Sequence, residues 1–406
     1  HRIGHMLNLM GNPHLQLKAV HIAGTNGKGS TTAIISSVLT AAGYKTGEYT
    51  SPFVVDFRER IQIDGEMISQ QELTRLTERF LPYALQTAED IGENINEFEF
   101  ITALAFAYFL EQKCDIVVLE VGLGGQFDAT NMIVNPLATV ITPIGLDHTQ
   151  LLGNTITEIA TEKCGIIKKN GVTIVNPCQS DEALEVIFKR CCEMNNKLIM
   201  PNINNIEDAS LTLNGTTFSY GGEQWKLSLP GEYQLSNAVT AIETAEHLCG
   251  FGVSIPAIKK GLSTAFIAAR MEVLCQYPTI LLDGAHNSHG ATALVSALKK
   301  LNCTSVTAIT GILEEKDWQK TITCILPLCK KIVTLTPPSP RALQGNELAE
   351  WITLQGVEAI YAHTPKEALG IALNGLHKDD TLLIFGSLYL AGEMRQVVLE
   401  SNLNKR

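Results

Sequence analysis

Two rhythms of apolar residues alternate along the chain. Short unbroken apolar runs read as buried strands, and longer stretches with apolar positions at helical spacing read as helices. Lys18 to Ala23 is the first such run, and from Ser30 onward Ile34, Ile35, Val38, Leu39 and Ala42 follow a helical period. Strands are predicted again at Tyr44 to Tyr49, Asp115 to Gly122, Leu137 to Thr142 and Gly171 to Val175. Helices are predicted over Glu72 to Thr87, Ile101 to Leu110 and Thr155 to Ile167. Between Leu198 and Leu229 the pattern turns to short alternating runs with Asn-Gly and Gly-Gly turns, which predicts a small antiparallel addition. A helix follows from Gln234 to Cys249.

Near Ala268 to Met271 a second unit begins. Thr279 to Asn287 reads as a strand and turn, and Gly290 to Leu301 as a helix. Strands follow at Ser305 to Thr310, Lys331 to Thr336, Val357 to Ala362 and Thr381 to Phe385. The expectation is an α/β protein: an N-terminal domain of P-loop type, 1–268, with a mostly parallel sheet and the antiparallel addition. A smaller Rossmann-like, doubly wound α/β domain, 269–406, follows it.

The densest chemistry sits between the first strand and the first long helix. Gly24, Gly27 and Gly29 free the backbone for a tight turn. Such a turn aims N–H groups and the positive end of a helix dipole at an anion. Lys28 adds a mobile cation and Ser30 a hydroxyl suited to a metal. The general phosphate-loop pattern places Ser or Thr directly after the Lys, whereas here Gly29 intervenes. The setting still predicts triphosphate binding. Glu120 ends the apolar strand one step away, where ligands of open α/β sheets bind, and is a candidate for Mg²⁺. Asp147-His148 follows the next strand, and a metal or phosphate contact is expected there, although imidazole is an unusual ligand for Mg²⁺. Lys163 lies on a predicted helix, and its position alone does not separate a functional lysine from a solvated one. Asp283, His286 and Asn287 crowd the turn around Gly284 and read as a binding turn.

Composition narrows the partners. Thirty-one basic residues against forty-two acidic ones leave a net charge of −11, unsuited to general binding of nucleic acid or anionic membranes. No apolar stretch is long enough to span a bilayer. The chain starts at His1 without a Met, and part of the natural N-terminus is read as missing. Ten cysteines without a CxxC pair read as reduced, partly buried thiols of a cytoplasmic protein, with Cys114, Cys249, Cys275 and Cys324 in apolar surroundings. The adjacent Cys191 and Cys192 do not suit zinc.

Ordered motifs along nearly the whole chain resemble the folylpolyglutamate synthase/dihydrofolate synthase family, a branch of the Mur ligase superfamily. They are HIAGTNGKGS at His21 to Ser30, TSPF at Thr50 to Phe53, FRERI at Phe57 to Ile61, LEVGLGG at Leu119 to Gly125 and DATN at Asp128 to Asn131. GLDHT at Gly145 to Thr149, EKCGIIK at Glu162 to Lys168, LDGAHN at Leu282 to Asn287 and FGSLYLAG at Phe385 to Gly392 complete the set. The extra Gly after the Lys is itself a trait of this superfamily.

The resemblance implies an ATP-dependent ligase of folate biosynthesis and one-carbon metabolism. A substrate carboxylate takes the γ-phosphoryl of MgATP, and the amine of L-glutamate attacks the acyl phosphate. It implies that Asn26, Gly27, Lys28, Gly29 and Ser30 cradle the phosphates, and that Ser51, Glu120 and His148 hold magnesium. Lys163 matches a lysine that carries a carbamate, and with Lys28 and His148 it forms the expected catalytic set. Asn237, Arg270 and Asp283 match contacts to ATP. His286 and Ser387 are candidates for the incoming glutamate, and Phe98, Glu99 and Asp128 lie on the pterin-binding side. The acceptor is folate, dihydropteroate or both, and a monomer is expected. Gln126-Phe127 stands where the family often has Arg-Leu, Cys164 where Ala is common, and the segment before Arg2 is shortened.

Four other readings compete. A peptidoglycan-precursor ligase of the Mur type shares the phosphate loop, but LEVGLGG, DATN and FGSLYL favour the folate branch. A nucleotide-dependent switch or transport ATPase leaves the second α/β unit unexplained. A dehydrogenase and a serine hydrolase lack their G-x-G-x-x-G and G-x-S-x-G signatures.

Overall fold

The computed structural model describes residues 2–314, 317–401 and 403. Its largest sheet joins β1 (Ala19–Ala23), β2 (Thr46–Tyr49), β3 (Ile61–Ile63), β4 (Glu66–Met67), β5 (Ile116–Glu120), β6 (Ala138–Ile141), β7 (Val172–Val175) and β8 (Lys197–Ile199). The order across it is β4-β3-β2-β5-β1-β6-β7-β8, parallel from β2 to β8 with an antiparallel edge at β3 and β4. Strand β1 is central because both its faces are apolar. Val20 and Ile22 enter one core with Ile34, Val38 and Val118, while Ala19 enters the other with Phe106, Val117 and Leu119. The chain leaves β1 toward β2 and later crosses to β6 on the other side. The carboxyl end of β1, between β5 and β6, is therefore the switch point where such sheets bind ligands.

The helix Lys28–Ala41 fills the groove over this switch point. It is buried along most of its length because the sheet lies beneath it and the helices Tyr233–Glu246 and Ile255–Thr264 pack above. Gly261 allows the close crossing, since a Cβ there would sit 2.3 Å from Val38 Cα. The predicted antiparallel addition is β9 (Glu207–Thr212), β10 (Gly215–Tyr220) and β11 (Glu223–Leu227), whose Phe218, Trp225 and Leu227 close the same core.

The second sheet contains β12 (Glu272–Gln276), β13 (Thr279–Leu282), β14 (Val306–Thr310), β15 (Cys329–Thr334), β16 (Glu358–Tyr361) and β17 (Thr381–Phe385). It runs β12-β13-β17-β14-β15-β16, parallel except for β12. Parallel pairing of β13 with β17 brings the turns after Leu282 and Phe385 side by side, and Gly386 N–H donates to Ala285 O at 3.1 Å.

Several expected bounds move for local reasons. The first long helix starts at Lys28, two residues before Ser30, because left-handed Gly27 already turns the chain into it. The helix read as Glu72 to Thr87 runs from Gln70 to Ile91, between Ser69, whose hydroxyl accepts from Glu72 N–H, and left-handed Gly92. The helix read as Thr155 to Ile167 stops at Lys163 and tightens into a 3₁₀ turn over Cys164–Ile166. There Gly165 passes so close to Gln126 that a Cβ would lie 2.4 Å from its side chain. The edge strands β3, β4 and β12 and the helices Arg2–Leu9 and Ile255–Thr264 carry no strong apolar run and were not anticipated. All ten cysteines are free thiols, but Cys249 is exposed rather than set among apolar neighbours, as are Cys178 and Cys192. Among the described residues no helix is long and apolar enough to cross a membrane.

Candidate active site

The phosphate loop is built by close approach of β1 and β6. A Cβ on Gly24 would fall 1.8 Å from Thr142 Oγ1, so only glycine fits. Thr25 and Asn26 N–H groups both donate to Pro143 O, at 2.9 and 3.1 Å, and Thr25 Oγ1 pairs with the Gly145 backbone at 3.0 Å. Gly27, at φ +82°, reverses the chain into the helix. Gly27 at its N-cap offers no side chain to cap this helix, which leaves first-turn N–H groups for an anion.

Around that turn lies a cleft lined in part by Gly24, Lys28, Gly122, Leu123, His148 and Lys163. Lys28 Nζ donates to Thr25 O at 3.3 Å, and Lys163 Nζ to Gly24 O at 2.8 Å. Lys163 is 5 % exposed, which sets aside the solvated alternative. Burial first, and then the neighbouring Lys28 charge, push its amine down to about 7. Glu120 is buried beside the helix start, where a Cβ on Gly29 would lie 3.7 Å from its Oε2. Burial raises its carboxyl above the ordinary range, while Lys28 and the Ser51 N–H, 3.2 Å from Oε2, hold it down. His148 caps a short helix at the cavity mouth in a left-handed conformation, half exposed and 4.0 Å from Asp147. Among the described residues no three His, Cys, Asp or Glu side chains form a metal cage. A metal here would depend on Glu120, the Ser51 turn and the phosphates themselves, the usual arrangement for Mg²⁺.

The floor of the loop is a buried amide chain. Asn176 Nδ2 donates to Asn237 Oδ1 at 3.3 Å, Asn237 Nδ2 to Gln234 Oε1 at 2.8 Å, and Gln234 Nε2 to Ser30 Oγ at 3.2 Å. Sequence reasoning found Asn237 and Ser30 but missed Gln234 and Asn176. The one available signal was a polar residue on the apolar face of a helix, three before Asn237. Gln234→Leu is expected to raise the KM for ATP about tenfold, since it strands Asn237 and frees the Ser30 hydroxyl at a cost of about 1–3 kcal/mol. Nucleotide titration alongside thermal melting checks both effects.

From the second sheet, Asp283 follows β13 and accepts from Met271 N–H at 2.9 Å and Ala285 N–H at 2.8 Å. Burial raises its carboxyl, and Arg270 opposes that rise. Arg270 also opposes the rise at Glu120, so its charge reaches the carboxylate beside the phosphate loop. Asn26 Nδ2 lies 3.3 Å from His289 Nδ1 and joins the two halves directly. His286 Nδ1 is 2.9 Å from Gly284 O, and Ser387 caps the helix Leu388–Glu400 by accepting from Leu390 N–H. These two therefore sit on the adjacent turns after β13 and β17.

The remaining three candidates divide. The Phe98 ring packs where a Gly122 Cβ would be, 2.5 Å away, and Asp128 accepts from Gly122 and Leu123 N–H at 3.1 and 3.0 Å. Both thus touch the turn that lines the cavity. Glu99 is instead engaged in a capping box with Asn96 and an ion pair with Arg2 at 3.2 Å. Phe127 is 70 % exposed beside this turn.

A Mur ligase middle-domain model matches residues 22–245, and a model of the Mur ligase glutamate ligase domain matches residues 269–388. Fold and site together define an ATP-dependent ligase of the Mur type. The chain is 36% identical to folylpolyglutamate synthase of Lacticaseibacillus casei over 98% of its own length and 94% of that protein's. It is also 36% identical to the dihydrofolate synthase/folylpolyglutamate synthase of Bacillus subtilis, over 97% and 94% of the two chains. Folylpolyglutamate synthase of Mycobacterium tuberculosis, solved with ADP and AMPPCP, superimposes with a TM-score of 0.90 at 29% identity, covering 98% of this chain and 94% of that one. The chain belongs to the folylpolyglutamate synthase/dihydrofolate synthase family.

Proposed function

We propose that the protein joins L-glutamate to the carboxylate of a folate, and to dihydropteroate, with conversion of ATP to ADP and phosphate. The observation that carries this reading is the convergence of Lys28 and Lys163 on one cavity at the glycine-rich helix start, with Glu120 within electrostatic reach of both Lys28 and Arg270. A carboxylate is a poor acyl donor, so its oxygen must first take the γ-phosphoryl group. That transfer asks the protein for positioning and charge neutralisation rather than for a nucleophile.

In this reading Asn26 to Ser30 hold the β- and γ-phosphates, and Lys28 neutralises charge that builds on the transferred group. Arg270 and Asp283, from the second lobe, complete the nucleotide site only when the lobes close, with the boundary between 268 and 269. His286 and Ser387 receive glutamate beside that turn, and Phe98 and Asp128 border the pterin. Glu120 fits magnesium: it is a buried carboxylate for which one donor, the Ser51 N–H, is found among the described residues. Ser51 and His148 would complete the set that holds it, and the ion would supply Lewis-acid neutralisation of the phosphates. Lys163 fits a carbamate, because an amine near neutrality retains the free base that CO₂ requires.

Steady-state ADP release tests the proposal. Release is expected to require both glutamate and either tetrahydrofolate or dihydropteroate. A requirement for UDP-muramyl acceptors, or hydrolysis indifferent to any acceptor, would overturn it.

A further inference from the structure

One buried imidazole is left unused by that chemistry. His21 stands in the middle of β1, the strand that delivers the phosphate loop, with no exposed surface. Its backbone neighbours are Leu119 on β5 and Thr139 on β6. Nε2 lies 2.8 Å from Thr130 Oγ1. The Thr130 hydroxyl in turn donates to Asp128 Oδ1 at 2.5 Å.

The protons along this relay can be assigned. Asp128 Oδ1 accepts from the Thr130 hydroxyl and the Thr130 N–H, and Oδ2 from the Gly122 and Leu123 N–H groups. Both oxygens already take two donors, so the group acts as a carboxylate. A hydroxyl has one proton, and that of Thr130 is committed to Asp128. Its oxygen must therefore accept from His21, which makes the ring the Nε2–H tautomer. Nδ1 is then a bare acceptor, buried and without a hydrogen-bond partner among the described residues. Leaving an acceptor unsatisfied costs about 1–3 kcal/mol, which an aliphatic side chain at this place would avoid. Burial, seconded by Lys168, also lowers the ring to about 3, so it stays neutral and does not act as a charge switch.

What the imidazole achieves lies at the far end of the relay. Gly122 and Leu123 line the phosphate cavity with Lys28 and Lys163. We infer that His21 is a positioning residue for the ligation reaction: through Thr130 and Asp128 it fixes the Gly122–Leu123 backbone against the phosphate cavity. The inference rests on the ligase reading of that cavity.

Three variants test it. His21→Gln keeps an N–H donor at the place of Nε2, His21→Leu removes it, and Thr130→Val breaks the relay one step on. His21→Leu is expected to lower kcat about ten- to a hundredfold with little change in the KM for ATP, as a small misplacement of aligned groups does. His21→Gln retains most of the turnover. Thr130→Val matches His21→Leu, and the double variant is no worse than either single one, because both cut the same chain. Hydrogen exchange at the Gly122 and Leu123 amides speeds up in His21→Leu and Thr130→Val while the melting temperature holds. Equal damage in the Gln and Leu variants, additive losses in the double variant, or unchanged exchange at the two amides would overturn the proposal. Wild-type ligation is the control: its absence would sink the ligase reading, while amide exchange would still decide the relay.

Discussion

Lys28→Ala lowers glutamate-dependent ADP formation by about 10²–10³-fold, the usual cost of removing one fixed group that neutralises transition-state charge. The fold survives the change. Lys28 is half-buried, and its Nζ donates to the nearby Thr25 O at 3.3 Å. The effect spreads through electrostatics. Lys28 is the leading influence that holds the Glu120 carboxyl down against burial. Without it Glu120 rises further, stays protonated to higher pH and offers less charge to a metal. The acid limb of the pH–rate profile therefore moves upward in the variant. Single-turnover ADP formation across pH, with melting curves for both proteins, checks each part. Turnover within about tenfold of wild type, given that same scale, would remove the phosphate loop from the mechanism.

The parts of the site that could be read in the chain are those made by neighbours in sequence. Gly24, Gly27, Lys28 and Ser30 lie within one strand–turn–helix unit, so spacing alone announces an anion site. Glu120 was legible because it ends an apolar strand, and strand ends in such sheets gather at one edge. The rest depends on convergence across the fold. Lys163 looked like any helical lysine until Gly124, Gly125 and Gly165 let the chain fold tightly around it; a Cβ on Gly125 would lie 2.8 Å from Lys163 O. The chain from Asn176 through Gln234 to Ser30 joins residues from β7's end, a helix of the upper layer and the phosphate helix. No local pattern links them. His21 was hidden for the opposite reason: it sits inside an apolar run whose strand reading absorbed it. In the second sheet β12 escaped notice because a half-exposed edge strand needs no continuous apolar run.

Lys163→Ala is expected to cost ligation about as much as Lys28→Ala, since both lysines line the cavity proposed for the transferred phosphate. Its effect on stability has the opposite sign. In the fold the Lys163 amine is lowered to about 7 from an ordinary 10.5. Between those values the unfolded chain binds a proton that the folded chain has shed, so stability climbs with pH across that window. Below about pH 7 both states are protonated and the fold carries the whole penalty, of the order of 5 kcal/mol for a difference of this size. Lys163→Met, which fills the site without a charge, should therefore melt higher than wild type at mildly acid pH. That advantage should shrink as pH rises toward the ordinary lysine value. A flat difference between the two melting curves across pH would mean that the amine is not desolvated. The activity loss has its own discriminating test. If a carbamate is the working form, wild-type enzyme stripped of CO₂ loses turnover and regains it with bicarbonate, and its native mass shows one added CO₂. Lys163→Ala, lacking the amine, ignores bicarbonate but responds to short carboxylates such as acetate, which restore an anion at the vacated place. Full activity in stripped wild-type enzyme would leave Lys163 as a cation that steadies the phosphate, and the bicarbonate response is what separates the two roles.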